Sequence, residues 1–477
     1  MPYLIELEKA GIPTILIDFF DQDGFVESEA QVLGVPKLRY MHAHRIMRGT
    51  EDVERFIDEM FDGITRPLTD DERQVSGMWR PDESRILFEG TLEDAEEFYM
   101  QADMNPYQGA PYARYTDGLP IVVPTEERVE AMLKGTKHAP NEIINLQADI
   151  PVRAAPEAIG NDPIIHKGEP IRYMPTRRIA TVEQVAVNAV MAGCKPEYLP
   201  VVLAIAEASA GTGDGRNGQG FIVSGPIAQE IGMNYGFGLL GPGNPANITI
   251  GRASKLMWRN LGGAVPGITV TSNWGDNPAV NTGFCIAEYT GGLPKEWLGL
   301  NEELGFKKEE STIRVHAPNT YAQIWPLASD DEGILRSIVY NVMPGRSGGF
   351  SLILTPPHAR TLAKHGWTKK DIKEFISLYA RTTADRLGTF WGTSSPVEGA
   401  WLHKNRIPMK ATDEVPLVKD PETITIIVGG GPGAFIGMLS PSVLFLAGKM
   451  MEKITLPANW DKLVAKYRNV VPTHIRY

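Results

Sequence analysis

The sequence predicts an α/β protein: an N-terminal partial doubly wound (Rossmann-like) layer followed by a larger mixed α/β domain of strand-turn-helix units. Three observations lead there. Over the first 65 residues short apolar runs alternate with amphipathic stretches, the arrangement of helices packed on a parallel sheet. Three later segments repeat one shape, an apolar run closed by small residues: 220–223 before Ser-Gly-Pro, 350–354 before Thr-Pro-Pro, and 424–428 before Gly-Gly-Gly-Pro-Gly. The 477 residues, 43% of them hydrophobic, suffice for two or three packed domains.

Taken in order, 4–9 reads as a helix, Gly11-Ile12-Pro13 as a turn and 14–18 as a buried strand. Then come a helix at 27–33, a second strand at 37–41, and an amphipathic helix at 50–64 that stops before Pro67. A parallel layer normally opens on a strand, so the helical start suggests that the first strands belong elsewhere. The expected domains are the partial layer at 1–68, a linker and helix at 69–116 (helix 92–101), and a substrate-binding α/β domain at 117–477. Within the last, Thr125 caps a helix to Lys134, and 135–178 is polar, proline-bearing and without a clear assignment. Thr181 and Gln184 form a capping box for a helix to Ala192, Gly193 stops it, and Pro196 or Pro200 opens the next. Ligands gather outside the carboxyl ends of strands in such sheets, so the turns after 223, 354 and 428 are expected to converge.

Forty-seven basic residues against 58 acidic ones give a formal charge of −11, which argues against nucleic acid or an anionic membrane surface as partner. Small molecules or proteins fit better. Two cysteines, Cys194 and Cys285, exclude a disulfide scaffold and point to a reducing cytoplasm. The opening MPYLIELEKAGIP carries acidic residues and no long apolar run, unlike a secretory signal. The uncharged stretch 423–448 has the length of a membrane span, but Gly429, Gly430, Gly431, Pro432, Gly433 and Pro441 divide it into a strand, a turn and an apolar helix from 443 to 451.

The segment 224–263 is the strongest functional signal. It has no charge between Glu230 and Arg252, and glycine, proline and asparagine crowd it, so bare backbone can approach a ligand there. Asn247 is the expected N-cap of a following helix that carries Arg252, Lys255 and Arg259 on one face. That face favours an anionic ligand; the plain alternative is an Ω-like loop with a solvated basic stripe.

Other candidates each have a structural rival. Cys285, in NTGFCIAEY with Glu288 nearby and Asn281 and Thr282 before it, is a nucleophilic thiol or a buried strand cysteine. Cys194 stands at a corner between two helices, reactive or packed. His358, directly after a strand in TPPHARTLAKHGW, is a general acid or base, or a packing residue. Asp117, in the turn YTDGLP, reaches a ligand or shapes the turn. His42-Ala-His44 has a spacing that metals accept but no carboxylate or cysteine to complete a site, and Gly429 to Ala434 satisfies only the loose form of a dinucleotide fingerprint. No cofactor is clearly encoded, a metal stays open, and the common hydrolase, NTPase and zinc motifs are absent.

Several blocks together resemble the UGSC-motif (seleno)proteins, which are distantly similar to the selenoprotein B subunits of glycine and betaine reductases. They are IELEKAGIPTILI (5–17), TRPLTDDE (65–72), DGLPIVVPTEERVEAMLKGT (117–136), ATVEQVAVNAVMAGCKPEYLPVVLAIAEA (180–208), 224–263, GFCIAE (283–288) and LTPPHARTLAKHGWTK (354–369). The family's reactive Sec/Cys-Gly-Ser-Cys turn precedes the first block and is missing here. The resemblance therefore implies the larger subunit of a heteromeric enzyme, with a second protein subunit supplying the missing N-terminal strands and the Sec/Cys motif. It further implies that a small anionic substrate is held by Asn234, Asn244 and the amides of Gly241 and Gly243. Arg252 would pair with it, and Cys285, with Glu288 or His358 as proton donor and Asp117 close by, would act beside the partner's thiol or selenol in a reductive cleavage. The alternatives are a non-redox hydrolase, hydratase or lyase using Cys285 or a metal, and a non-catalytic scaffold or binding subunit.

Overall fold

A computed structural model describes residues 2–18, 23–43, 50–76, 84–104, 111–147, 150–151, 164–173, 176, 178–208, 220–265, 283–316, 318–342, 349–383, 386, 410, 412–418, 420–441 and 451–468. The fold is mixed α/β. The N-terminal unit contains α1 (Pro2–Lys9), β1 (Leu16–Asp18), α2 (Asp23–Val32), β2 (Tyr40–His42) and α3 (Thr50–Thr65). β1 and β2 run parallel, Leu16 opposite Tyr40, over a small core of Ile5, Ala30, Leu33, Val35 and Leu38. The expected linker after residue 68 folds back onto this unit. Glu72 receives the Arg39 Nε and Nη2 at 3.1 and 3.0 Å and the Arg66 guanidinium at 2.7 Å, and Ser76 N donates to Gly34 O. The Arg66 and Arg39 hydrogen bonds hold the Glu72 carboxyl far below the usual carboxylate range. Among the described residues this sheet has two strands only, and Leu7, Ile12 and Ile17 beside it, with Ile57, Phe61 and Ile64 along α3, are exposed.

The remainder begins with α4 (Leu92–Met100), the antiparallel pair β3 (Ala102–Met104) and β4 (Pro111–Ala113), and α5 (Glu126–Leu133). The short pair β5 (Ile150–Pro151) and β6 (Ile164–Ile165) precedes α6 (Val182–Ala192) and α7 (Leu199–Ala208). Both halves of the Thr181–Gln184 capping box form, and Gly193 ends α6 at φ 87°, where a side chain would be strained. Next come β7 (Gly220–Ser224), α8 (Ile227–Glu230), α9 (Pro245–Asn260), β8 (Phe284–Ala287), α10 (Leu300–Glu303) and β9 (Thr312–His316). They are followed by β10 (Pro318–Ile324), α11 (Asp331–Asn341), β11 (Ser351–Leu354), α12 (Pro356–Lys364), α13 (Lys369–Tyr379), and the pair β12 (Arg381–Thr383) and β13 (Glu414–Pro416). β14 (Thr425–Val428), β15 (Ile436–Pro441), β16 (Met451–Lys453) and α14 (Trp460–Arg468) complete it. The described residues of 84–116, expected as linker and helix, are part of this body: Ala95 and Tyr99 enter its main core, with Phe98 and Tyr115 against them.

Two four-stranded mixed sheets, ordered β16-β9-β7-β8 and β10-β15-β11-β14, form its centre. Strand alternation sorts their side chains into three layers. Phe221, Val223, Cys285 and Ala287 face α6, α7 and α9. Leu352, Leu354, Ile426 and Val428 pack with residues of α11, α12 and α13. The opposite parity, Ile222 and Ile286 of one sheet and Ile353, Ile427 and Leu439 of the other, meets in a seam between the sheets. The result is an α-β-β-α sandwich, in which strands buried on both faces read as unbroken apolar runs.

The third expected strand-turn-helix unit is instead a strand-turn-strand. Residues 436–441 form β15, wedged antiparallel between β10 and β11, because a short apolar run satisfies a buried strand and a buried helix equally until its neighbours are known. The expected helix start at 443 lies outside the described residues. Among the described residues no helix is long and apolar enough to cross a membrane.

A buried polar cluster ties the two halves together at the end of β8. Ser224 Oγ donates to Glu288 Oε2 at 2.6 Å and Leu300 N donates to the same oxygen at 2.8 Å. From the opening turn of α13, Lys369 Nζ lies 3.5 Å from Glu288 Oε1 and 3.0 Å from Glu303 Oε1, and donates to Leu298 O. Burial pushes the Glu288 carboxyl up, against the pull of Lys369 and the hydrogen bonds from Ser224 and Leu300. Removing the cation from such a pair strands a buried acid, a loss of about 3–5 kcal/mol. Lys369→Met should therefore lower unfolding stability in urea by about that much, and adding Glu288→Gln should recover part of it; a single-variant loss under about 1 kcal/mol would show that the pair does not hold the halves together.

Glu207, in the last turn of α7, and Glu452 of β16 also sit against the main body, and burial pushes their carboxyls up to about 8 and about 7, Glu452 adding to the rise at Glu207. Both folded values exceed the unfolded one, so the stability they contribute is complete below about pH 4.3 and is lost as pH rises through 7 and 8. Glu452→Gln should leave the melting temperature nearly unchanged at low pH and raise it by roughly 2–4 °C at pH above 8. An equal shift at both ends of the range would contradict the burial account.

Candidate functional site

The helix α9 organises the residues singled out from sequence. Its N-cap is Asn244, not Asn247: the Asn244 side chain accepts from Asn247 N, with Pro245 in the first turn. Asn247, one turn further in, is buried and accepts from Asn234 N, while its Nδ2 donates to the carbonyls of Asn234, Leu239 and Cys285. Asn244 Nδ2 donates to Gly232 O and to Asn234 Oδ1. Gly241 and Gly243 have φ of 98° and 80°, and a Cβ on Gly241 would lie 2.9 Å from that of Asn247. The asparagines and glycines expected to hold a substrate are thus engaged in folding the loop and fastening it to β8.

The strand-end turns do meet. Tyr289 N donates to Val428 O and Gly430 N to Tyr235 O, and the Tyr235 and Tyr289 rings lie 4.8 Å apart. Thr355 Oγ1 donates to Gly433 O at 3.1 Å, so its contact with His358 Nδ1 at 3.0 Å is one it accepts. That leaves Nε2 as the basic nitrogen of a histidine whose pKa burial lowers. Glu288 lies in the buried polar cluster, away from Cys285. Cys285 faces the main core with Phe221 and Ala287, whereas Glu288, three residues on, turns to the other side, as strand alternation requires. Burial pushes the Cys285 thiol far up and the Cys194 thiol up to about 12, so both are protonated near neutral pH and neither is a poised thiolate.

Among the described residues no group of three or more His, Cys, Asp or Glu side chains is placed to hold a metal. His42 Nε2 pairs with Asp23 Oδ1 at 2.5 Å. His44, Asn281 and Thr282 lie outside the described residues.

The basic face of α9 has a different character at each turn. Arg252 makes a bidentate pair with Asp117, Nε to Oδ2 and Nη2 to Oδ1, both at 2.8 Å, and Nη2 also donates to Pro120 O. Its fork is thereby taken, so the substrate carboxylate expected for it is supplied by the chain itself, and Asp117 is its partner rather than a group presented to a ligand. Lys255 is buried with Nζ 4.8 Å from the centroid of the Trp258 ring, and burial lowers its pKa to about 7, opposed by Asp117. Arg259 lies over Tyr112, 5.7 Å from the ring centroid. Its Nε and Nη2 are enclosed and without a hydrogen-bond partner among the described residues, and Nη1 reaches Ala264 O only at 3.5 Å.

Arg259 lines a cavity of about 580 Å³ at the C-terminal end of α9, with Asn260, Tyr112, Arg114, Asn188 and Leu261 among its walls. A guanidinium keeps its charge in a protein, and burial works against that charge here. The other arginines around the cavity are engaged: Arg114 clamps Asp103 with two bonds of 2.7 Å, Arg85 bridges Glu183 and Glu126, and Arg178 donates to Asn260 O. This site lies about 20 Å along the helix axis from the loop at Asn244. Sequence reasoning named Arg259 only as part of a stripe and missed Tyr112, Arg114 and Asn188. The i, i+3, i+7 spacing was the available signal, and it does not say which cation will find an acid.

No protein-family model, curated protein or solved structure matches this chain. The burial of Cys285 has a direct consequence: in the native protein it should resist labelling by Ellman's reagent at pH 8 for hours and react at once in denaturant. Labelling within seconds under native conditions would restore it as a reactive thiol.

Proposed function

We propose that this chain binds a small organic anion in the cavity at the C-terminal end of α9, as the substrate-binding subunit of an enzyme that contains a second chain. The carrying observation is Arg259, half-buried on a cavity wall, with Nε and Nη2 enclosed and unpartnered among the described residues. An enclosed cation without a counter-charge is costly, and an anionic ligand would remove that cost.

The second chain is supported by the N-terminal unit, whose two-stranded sheet and exposed Ile17, Phe61 and Ile64 offer surface for a partner. The resemblance to UGSC-motif proteins would make the chemistry reductive, with the reactive sulfur on that partner. The buried, protonated thiol of Cys285 favours the same division of labour over a hydrolase or lyase with Cys285 as nucleophile. A non-catalytic binding subunit would use the same cavity and differ only in lacking turnover.

Calorimetric titration with acetate, benzoate, methanesulfonate, phenyl phosphate and inorganic phosphate tests the anion site. At least one should bind saturably and lose tenfold or more of its affinity in Arg259→Gln. Equal affinities in the two proteins across the whole set would end this reading.

A further inference from the structure

We propose that the N-terminal unit receives one amphipathic helix of the second chain, laid beside α3 with its apolar face on Ile57, Phe61 and Ile64 and an edge of lysine or arginine against Glu54, Asp58 and Asp62. This names the contact the second chain makes and rests on the two-chain reading, independently of the α9 cavity. The two faces of the β1–β2 sheet are covered unequally. Leu16 turns toward α1 and α2 and packs against the core of Ile5, Ala30, Leu33, Val35 and Leu38. Its neighbours Ile15 and Ile17 turn to the other side. There α3 comes so close that a side chain on Gly63 would collide with Ile15, and Arg39 Nη1 ties the end of the helix down through the carbonyls of Gly63 and Arg66. Ile17, two residues along from Ile15, is 43% exposed. Among the described residues, two helices thus serve one face of the sheet and one helix the other.

The helix itself says what would lie beside it. At about 100° per residue, Gly63 and the half-buried Phe56 and Met60 form the side of α3 turned to the protein. Ile57, Phe61 and Ile64 make the next stripe round, at i, i+4, i+7, and all three are exposed, Phe61 by 66%. Beyond them Glu54, Asp58 and Asp62 stand exposed in a row at i, i+4, i+8, while Arg55 and Glu59 lie further round, away from the stripe. An apolar stripe on the flank of a helix already packed by another side is the surface that a neighbouring helix buries, ridge into groove. The acidic row beside it sets the charge of that neighbour, since basic groups there would be attracted and acidic ones repelled. Asp62 has only an exposed contact with Arg66 at 3.5 Å, which holds it weakly. A second copy of this chain fits less well: a two-fold axis would bring two acidic rows into one interface, between chains that each carry a formal charge of −11.

The test uses two synthetic stapled helices that share one leucine face at i, i+3, i+4, i+7 and carry either lysines or glutamates along its edge. Their binding to the whole chain is read by fluorescence anisotropy. The lysine peptide should bind saturably and at least tenfold tighter than the glutamate peptide, with an advantage that shrinks at high salt. Phe61→Ser should weaken it at least tenfold, and Glu54→Lys with Asp58→Lys should reduce its advantage over the glutamate peptide to less than threefold. The substituted side chains are exposed, so unchanged melting temperatures confirm that the variants fold. Binding of neither peptide, equal binding of both, or binding of the lysine peptide that Phe61→Ser leaves unchanged would overturn the proposal. Self-association of the native chain in sedimentation, abolished by Phe61→Ser, would give the face to a second copy and overturn it too. A second chain that co-purifies from the native host and stays bound to both variants would overturn this contact while leaving the two-chain reading in place.

Discussion

Two sheets packed face to face bury their strands on both sides, so any polar group at the strand ends has to be satisfied from within the protein. Glu288 is where this constraint is sharpest. It leaves β8 just past the seam formed by Ile222, Ile286, Ile353 and Ile427, and there Ser224 from the first sheet, Leu300 N from the following turn and Lys369 from α13 converge on its two oxygens. A carboxylate so enclosed is favourable only while its partners hold position. It fixes the register of one half of the molecule against the other and thereby sets where the turns of β7, β8, β11 and β14 come together.

From that frame α9 runs away as a rigid spacer. Its first turn is anchored by Asn244 and Asn247, which fold the glycine-rich loop and tie it to the Cys285 carbonyl. Its middle is pinned by the Arg252–Asp117 pair, which joins the helix to the segment leading into α5. Its last turn delivers Arg259 to a cavity walled by β4, α6 and the residues before α4. The same side-chain chemistry, a cation on one helix face, therefore has two settings: Arg252 meets a carboxylate of the chain and makes a structural clamp, whereas Arg259 has no acid against it among the described residues.

The elements at the two edges of the chemistry follow the same reasoning. Cys285 is shielded from water and Cys194 partly so, which keeps both as thiols, and the sheet of the N-terminal unit ends in unpaired edges among the described residues, with apolar side chains on its surface.

By itself the sequence determined the α/β class, the helix at 182–192 with its capping box and glycine stop, the apolar strands at 220–223, 350–354 and 424–428, and the basic face of α9. Each of these depends on neighbours within a few residues, through capping hydrogen bonds, positive φ at glycine or the period of apolar side chains. Tertiary structure alone decided that 436–441 is a strand between β10 and β11 and that Cys285 and Glu288 part to opposite faces of the sheet. It also decided which arginine of the basic face is open. Arg252 is neutralised by an aspartate 135 residues away, and no local pattern encodes that meeting; Arg259, identical in chemistry and two turns further along, finds no such acid among the described residues, and the difference is a matter of where the rest of the chain passes.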